Sequence, residues 1–304
     1  MSLLSDTEPG ALRPAMGIAI MVAGMIVLAS TDAVSKHLTL SFAVIQILWV
    51  RFVVFAGVGT FLALRKNGIQ GLRTKRPMAQ VARAVILNLA NFIFVYSLSQ
   101  MPMADAHSIM AIAPLLIVAA SVPLLGETVG ARRWVAVAAA FVGMLIILRP
   151  GTGVFDPVSL VPLAGACCYA GYTILTKVIS RDDAHETTLF YTGIIGFVLM
   201  SALAPLDWRP PSSIDWFWLA VAGIGGTLAH VLIIISLHMA PASTLQPFNY
   251  TMLVWATVLG FLVFGDLPDT WTVVGALVIV ASGLYSWHRE RLAQAEGEAR
   301  QSQG

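Results

Sequence analysis

The chain has 304 residues, of which 58% are hydrophobic and only 11% are charged, with a formal net charge of +2. A soluble domain carries about 25% charged residues, so this composition excludes a soluble globular protein and indicates an integral membrane protein. The small net charge gives no reason to predict a nucleic-acid partner, and the basic loop 65–76 is explained by membrane topology.

Apolar runs of about 17–25 residues are long enough to cross the hydrocarbon core of a bilayer. In chain order we predict about ten transmembrane helices, at residues 14–35, 41–64, 78–99, 103–125, 131–149, 156–177, 186–204, 214–238, 242–264 and 270–287. Residues 1–13 form a short N-terminal segment. The polar tail 288–304 is predicted to be disordered, since it has little apolar surface to bury. The fold class is therefore all-α and integral to the membrane.

The distribution of Lys and Arg predicts the orientation. If the N-terminus is cytoplasmic, the predicted cytoplasmic segments hold 14 Lys and Arg residues and the outer segments hold three: Lys36, Arg149 and Arg209. Short cytoplasmic loops are enriched in these residues. We therefore expect the chain to lie in a bacterial inner membrane, with both termini on the cytoplasmic side.

The two halves of the sequence resemble each other. Pro102 and Pro241 lie 139 positions apart in similar segments, and the same offset relates Glu127 at the end of the fourth span to Asp266 at the end of the ninth. Because each half holds five spans, an odd number, the second copy is inverted relative to the first. We predict one five-helix repeat over residues 14–149 and a second over 156–287. Carriers built in this way bind substrate near the midplane, between the repeats.

Polar side chains in the spans coincide under this repeat. Asn91 maps onto His230 and His107 maps onto Gln246 at the offset of 139. Polar groups in hydrocarbon are costly and turn inward, so these residues either line a common cavity or join helices by hydrogen bonds. Aromatic residues of the sixth span either add a flat wall to that cavity or pack in the bundle. The predicted cavity residues are Asn88, Asn91, Phe92, His107, Met110, Tyr169, Tyr172, His230, Gln246, Asn249 and Tyr250.

Arg51 is the one arginine that lies deep within a predicted span. It stays protonated, so it needs a carboxylate or several carbonyl groups as partners. Asp32 in the first span is the candidate partner. The pair either locks two helices together or forms a site for a substrate carboxylate.

Several motifs of membrane enzymes and pumps do not occur in the sequence. It has no Gly-x-x-x-x-Gly-Lys-Ser/Thr loop for ATP, no Gly-x-Ser-x-Gly elbow and no His-Glu-x-x-His pair. We therefore predict that the chain is not an enzyme and needs no cofactor or catalytic metal. Its predicted partners are a small-molecule substrate and the lipid bilayer, and its oligomeric state is left open.

Over nearly its whole length the chain resembles the EamA-type exporters of the drug/metabolite transporter superfamily. The resemblance rests on residues 104–114, Leu125-Gly126-Glu127, Gly143 and Trp49-Val50-Arg51-Phe52. It implies a secondary carrier working by alternating access, with spans one to four and six to nine around the cavity and spans five and ten peripheral. In the second half Leu253 stands where Pro114 would map, so we expect the fourth and ninth spans to bend differently.

The resemblance implies export of amino acids, and the aromatic residues favour aromatic or large neutral ones. As an alternative, relatives with a stretch similar to Asp32-Ala33-Val34-Ser35-Lys36-His37-Leu38 look like uptake carriers for riboflavin or S-adenosylmethionine. A membrane enzyme or a scaffold that transports nothing is the alternative of another class.

Overall fold

The computed structural model describes residues 12–126, 130–149, 156–179, 183–240 and 242–301. These ranges fold into helices and their connections. The α-helices are α1 Leu12–Leu38, α2 Val44–Asn67, α3 Pro77–Gln100, α4 Met103–Met110, α5 Ala113–Leu125, α6 Ala131–Leu148, α7 Leu160–Ile179, α8 His185–Leu203, α9 Ser213–Met239, α10 Ala242–Asn249, α11 Thr251–Leu259 and α12 Thr270–Gln301. Short 3₁₀ turns cover Gly68–Leu72, Pro157–Ser159 and Ala204–Asp207, and a π-helix covers Gly260–Phe264.

Most of these helices have the length and composition of membrane spans. Within the described ranges, nine helical stretches are long and apolar enough to cross a bilayer, and Trp134–Leu148 is a shorter apolar helix. A helix satisfies its own backbone hydrogen bonds, so it is more stable in the hydrocarbon core of a bilayer than an irregular backbone would be. Many large apolar side chains on their outer surfaces are exposed, including Phe61 and Leu262. Such surfaces are suited to lipid rather than to water.

The helices pack in pairs that two inverted copies of one unit would produce. The contact of α1 with α9 has its counterpart in the contact of α7 with α3. Equivalent helices of the two halves meet directly, α2 against α8 and α6 against α12. Glycines permit these close approaches: a Cβ on Gly143 would lie 2.9 Å from the carbonyl oxygen of Gly275. Small residues serve this purpose in membrane proteins, where backbones approach closely.

The fourth and ninth spans are both broken, at equivalent positions. The break between α4 and α5 lies at Ala111 and Ile112, and the break between α10 and α11 lies at Tyr250, which is 139 positions after Ala111. The two spans differ beyond the break, since the ninth span ends in the π-helix Gly260–Phe264 and α5 stays α-helical over the equivalent residues. Pro114 lies at the start of α5, just after the break in the fourth span, and its missing N–H cannot continue the hydrogen bonds of α4. Pro247 lies within α10, three residues before the break in the ninth span.

The C-terminal tail is a further correction. The sequence predicted disorder over 288–304, but α12 continues as a helix as far as Gln301. The segment is rich in Ala, Glu, Gln and Arg, which are strong helix formers. It also extends an existing helix, so it avoids the cost of nucleation.

Candidate functional site

Polar residues of α3 and α9 occupy equivalent places and make equivalent hydrogen bonds. Each bonds to a carbonyl oxygen four residues earlier on its own helix. The pairs are Asn88 Nδ2 to Ala84 O (2.8 Å), Asn91 Nδ2 to Leu87 O (2.9 Å), Thr227 Oγ1 to Gly223 O (2.9 Å) and His230 Nδ1 to Gly226 O (2.8 Å). Within the part of the chain that the structure describes, none of these bonds joins two helices.

The hydrogen bonds determine which atoms these residues leave for a ligand. A carbonyl oxygen only accepts, so Asn88 and Asn91 must donate through Nδ2, and His230 must carry its proton on Nδ1. The groups left over are one N–H on each amide nitrogen and three acceptors: the two amide Oδ1 atoms and the lone pair on His230 Nε2. Asn88 Oδ1 is buried and has no hydrogen-bond donor among the described residues. These two faces are therefore suited to a ligand that carries N–H or O–H groups.

A narrow crevice lies beside His230, where α2, α8 and α9 meet. It is lined by Phe55, Val58, Gly59, Leu62, Leu189, Thr227, His230 and Val231 and has a volume of about 10 Å³. That is about the space one water molecule needs, whereas ligand sites usually measure about 300–1,000 Å³. The Phe55 ring meets the His230 ring edge-on at 5.7 Å. In this conformation the crevice is closed to any metabolite.

Asp32 and His107 form a buried pair between α1 and α4. His107 Nε2 lies 3.4 Å from Asp32 Oδ2, with side-chain exposures of 8% and 4%. Among the described residues Nε2 has no well-aligned hydrogen-bond partner, so the two side chains are close without forming a hydrogen bond. Phe94 packs edge-on against the imidazole at 4.9 Å. His107 thus faces Asp32 and an aromatic ring.

Arg51 does not form the direct ion pair with Asp32 that the sequence suggested. The two interact electrostatically, but no contact within 4.0 Å joins them in the described structure. Asp32 instead has His107 as its near neighbour. The Arg51 guanidinium packs against the backbone of Gly226 on α9.

The remaining predicted residues divide between the bundle interior and its edges. Tyr172 lies beneath a second arginine, with its ring 5.4 Å from the Arg83 guanidinium carbon. The neighbouring Tyr169 ring is 5.7 Å from Tyr172 and is 41% exposed. Phe92 stacks on Tyr96 at 6.4 Å. Met110 is partly buried and approaches Gly165 of α7.

Three predicted residues lie in the ninth span, at or beside its break. Tyr250 points toward α12, where its hydroxyl occupies the space a Cβ on Gly283 would need. Tyr250 therefore contacts the tenth span in this conformation, and its place in the cavity stays a prediction. Asn249 is partly buried. The Gln246 side chain lies outside the part that the structure describes.

Sequence reasoning missed Arg83, which lies in the predicted span 78–99 but was included in the count of cytoplasmic charges. Arg83 is fully buried. It donates from Nη2 to the Thr188 carbonyl (2.8 Å) and the Thr192 hydroxyl, and from Nε to Gln80 Oε1 (3.2 Å). It joins α3 to α8. Its position could have indicated burial, because Arg83 lies six residues after Pro77 and so more than one turn inside the third helix.

A polar network lies next to Arg83, at the membrane face that carries Asp183. Asp183 accepts hydrogen bonds from the Lys75 backbone N–H (3.0 Å), the Gln80 amide (2.8 Å) and the Thr74 hydroxyl. Burial raises the pKa of the Asp183 carboxyl, but these bonds outweigh it and hold the pKa below its usual value. The network ties the segment before α3 to the segment before α8.

The opposite face is closed by an ion pair that the sequence did not predict. Lys36 Nζ at the end of α1 lies 2.7 Å from Asp266 Oδ2, just after the π-helix. The same ammonium donates to the Met101 carbonyl (3.0 Å) and lies 4.8 Å from the centre of the Phe264 ring. We call this group the Lys36 clasp. It joins α1 to the end of the broken ninth span.

Comparison with known proteins places this arrangement in a family. A model of the EamA-like transporter family matches residues 15–149 and, separately, residues 158–286. The chain belongs to the EamA-like transporter family. The resemblance drawn from the sequence is thereby confirmed, together with an all-α membrane fold of about ten helices.

Individual EamA-like relatives match over nearly their whole length. An S-adenosylmethionine uptake transporter of Rickettsia felis is 25% identical, covering 92% of this chain and 95% of its own. A riboflavin transporter of Vibrio cholerae is 28% identical, covering 89% and 92%. A solved crystal structure with 21% identity superposes with a TM-score of 0.62 over 90% of this chain and 96% of its own, which shows the fold alone.

Proposed function

We propose that this EamA-like transporter takes up a riboflavin-like or S-adenosylmethionine-like metabolite across a bacterial inner membrane by alternating access. The observation that carries the proposal is the near full-length similarity to transporters named for these two compounds. This is the alternative that the sequence left open. Export of aromatic or large neutral amino acids, its main prediction, is the rival.

The site residues support a ligand of this chemistry. Both compounds combine a flat heteroaromatic ring with several N–H or O–H groups. The free acceptors on Asn88, Asn91 and His230 match such donors, and a donor meeting an acceptor in a dry site is favoured over leaving either unpaired. Tyr169 and Tyr172 offer ring faces on α7. We propose that these residues meet the substrate when the halves open.

Two further features of the proposal concern the carrier as a whole. The Lys36 clasp and the Asp183 network close opposite faces of the bundle, and the crevice between them is too small for a metabolite. We propose that each closure opens in turn. We also propose that residues 14–149 and 156–287 are the repeats that move against each other, and that both termini face the cytoplasm.

Counterflow into liposomes tests the function. Purified protein in liposomes loaded with unlabelled compound should accumulate labelled S-adenosylmethionine or riboflavin faster than protein-free liposomes. About twenty amino acids are tested in parallel. Counterflow of an amino acid alone would favour the exporter, and absence of counterflow for the whole panel would contradict transport of either class.

A further inference from the structure

Arg51 is a charged group inside a membrane span, and the described part of the fold supplies no acceptor for it. It lies in the interior of α2, is only partly exposed and contacts the backbone of α9. Among the described residues, nothing accepts a hydrogen bond from its guanidinium. An arginine cannot shed its proton to escape the cost of burial. In hydrocarbon such a group marks a functional site by default.

Arg83 shows how the same fold holds an arginine that joins helices, with only its Nη1 lacking a hydrogen-bond partner among the described residues. Arg83 is fully buried, and hydrogen bonds from Nε and Nη2 tie it to α8 and to Gln80 on its own helix. Its role in holding α3 against α8 needs no ligand. The repeat relates the contact of α3 with α8 to the contact of α9 with α2. Arg51 lies at this second contact, but its guanidinium makes no hydrogen bond there to the described residues. The contrast separates an arginine that joins helices from one that lacks its partner.

The position of Arg51 connects it to the crevice. Along α2, residues Arg51, Phe55 and Leu62 lie on one helical face, and Phe55 and Leu62 line the crevice. Across from them, a Cβ on Gly226 would lie 3.2 Å from Arg51 Nη2. The carbonyl of Gly226 accepts the hydrogen bond from His230, which also lines the crevice. The Arg51 guanidinium therefore lies about one turn of α9 away from the His230 imidazole.

Neighbouring charges do not complete the site. Asp32 interacts with Arg51 electrostatically but lies closer to His107. His230 lies within electrostatic range of both Arg51 and Asp32, and its orientation leaves only an acceptor free. The cluster thus combines the unused donors of the Arg51 guanidinium with one nearby free acceptor, His230 Nε2. A molecule that carries both a carboxylate and N–H or O–H groups would satisfy both sides.

We propose that Arg51 binds the carboxylate of the transported metabolite, while His230 accepts a hydrogen bond from one of its donor groups. This inference rests on the proposed function and narrows it. It selects substrates that carry a carboxylate, such as S-adenosylmethionine, over riboflavin, which has none. A planar guanidinium binds a carboxylate through two parallel hydrogen bonds, which a lysine cannot reproduce.

Competition in the counterflow assay tests this assignment. Two competitors of labelled S-adenosylmethionine are compared: S-adenosylhomocysteine, which keeps the carboxylate, and 5′-methylthioadenosine, which lacks the amino-acid portion. In R51Q, inhibition by S-adenosylhomocysteine should weaken about 10–100-fold, the range for losing a hydrogen bond to a charged group. Inhibition by 5′-methylthioadenosine should stay within twofold. R51K should fall between R51Q and the parent.

Thermal unfolding separates this role from a structural one. R51Q removes a half-buried charge that has no hydrogen-bond partner among the described residues, so the Tm of the ligand-free protein should not fall. R83Q is the matched control: it breaks bonds between helices, so it should lower the Tm and affect both competitors equally. Equal effects of R51Q on both competitors, or a Tm loss as large as that of R83Q, would overturn the proposal.

Failure of the proposed function gives a different pattern. If the parent protein transports riboflavin and not S-adenosylmethionine, transport is confirmed and the carboxylate assignment is wrong. If nothing in the panel is transported, the proposed function fails, and thermal shift with the same two competitors decides the role of Arg51. The assignment then fails unless S-adenosylhomocysteine raises the Tm of the parent more than that of R51Q.

Discussion

At the scale of single residues, the polar face of α3 and that of α9 present the same arrangement with different side chains. Asn91 and His230 both bond to a carbonyl on their own helix and both leave an acceptor free. The sequence allowed two roles, as cavity lining or as bonds between helices. The self-contained hydrogen bonds favour the first, because neither residue holds a neighbouring helix by such a bond within the described structure.

We therefore predict that H230A and N91A each weaken the apparent affinity for substrate about tenfold, as expected when a ligand donor loses its acceptor in a dry site. The Tm should change little. Transport kinetics at matched protein levels measure the first effect and thermal unfolding measures the second. S282A on α12 is the control. It removes a side-chain hydrogen bond from Ser282 to a carbonyl four residues earlier on the same helix, and it should leave the affinity unchanged. Parent-like affinity in both variants, with lowered Tm, would indicate a structural role.

At the scale of elements, the broken ninth span ends at the Lys36 clasp. The π-helix Gly260–Phe264 is closed by Gly265, whose φ of 73° suits glycine. Gly126 closes α5 in the same conformation 139 positions earlier, with φ of 69°. Asp266 follows this turn directly. A movement of the end of the ninth span would therefore displace Asp266 relative to Lys36 on α1.

We predict that D266N loosens this face. The Lys36 and Asp266 side chains are 14% and 32% exposed, and a partly exposed pair contributes at most about 1 kcal/mol. The open population should therefore rise no more than about fivefold. The labelling rate of a cysteine placed at Met103, which is fully buried beside the clasp, measures this. D207N is the control, since its pair with Arg209 is long and about 60% exposed. An unchanged labelling rate in D266N would show that the clasp does not limit opening.

At the scale of the whole molecule, the orientation proposed from Lys and Arg places the Lys36 clasp outside and the Asp183 network in the cytoplasm. Leu40 and Met78 are exposed at these opposite faces, at 76% and 81%. With Cys167 and Cys168 replaced by Ala, a membrane-impermeant maleimide should label L40C in intact cells. It should label M78C only after permeabilisation. The reverse pattern would invert the proposed topology.

The sequence alone determined the spans, their number and the duplication. A bilayer of fixed thickness imposes these features on every helix, so they are visible in local hydropathy and in the spacing of repeated residues. It also identified the polar residues of α3 and α9, because the repeat places them at the same depth. The family match to both halves agrees with what local composition indicated.

Only the tertiary structure decided what the charged and aromatic residues contact. Arg83 bonds to Thr188, 105 positions away in the sequence, and Lys36 bonds to Asp266, 230 positions away. Neither partner could be recognised from the local sequence. Tyr250 lies against Gly283 of α12, and the Arg51 guanidinium lies against Gly226 rather than beside Asp32. Hydropathy sets the depth of a residue in the membrane. The rotation of each helix about its own axis, which chooses its neighbours, is set by how all the helices fit together.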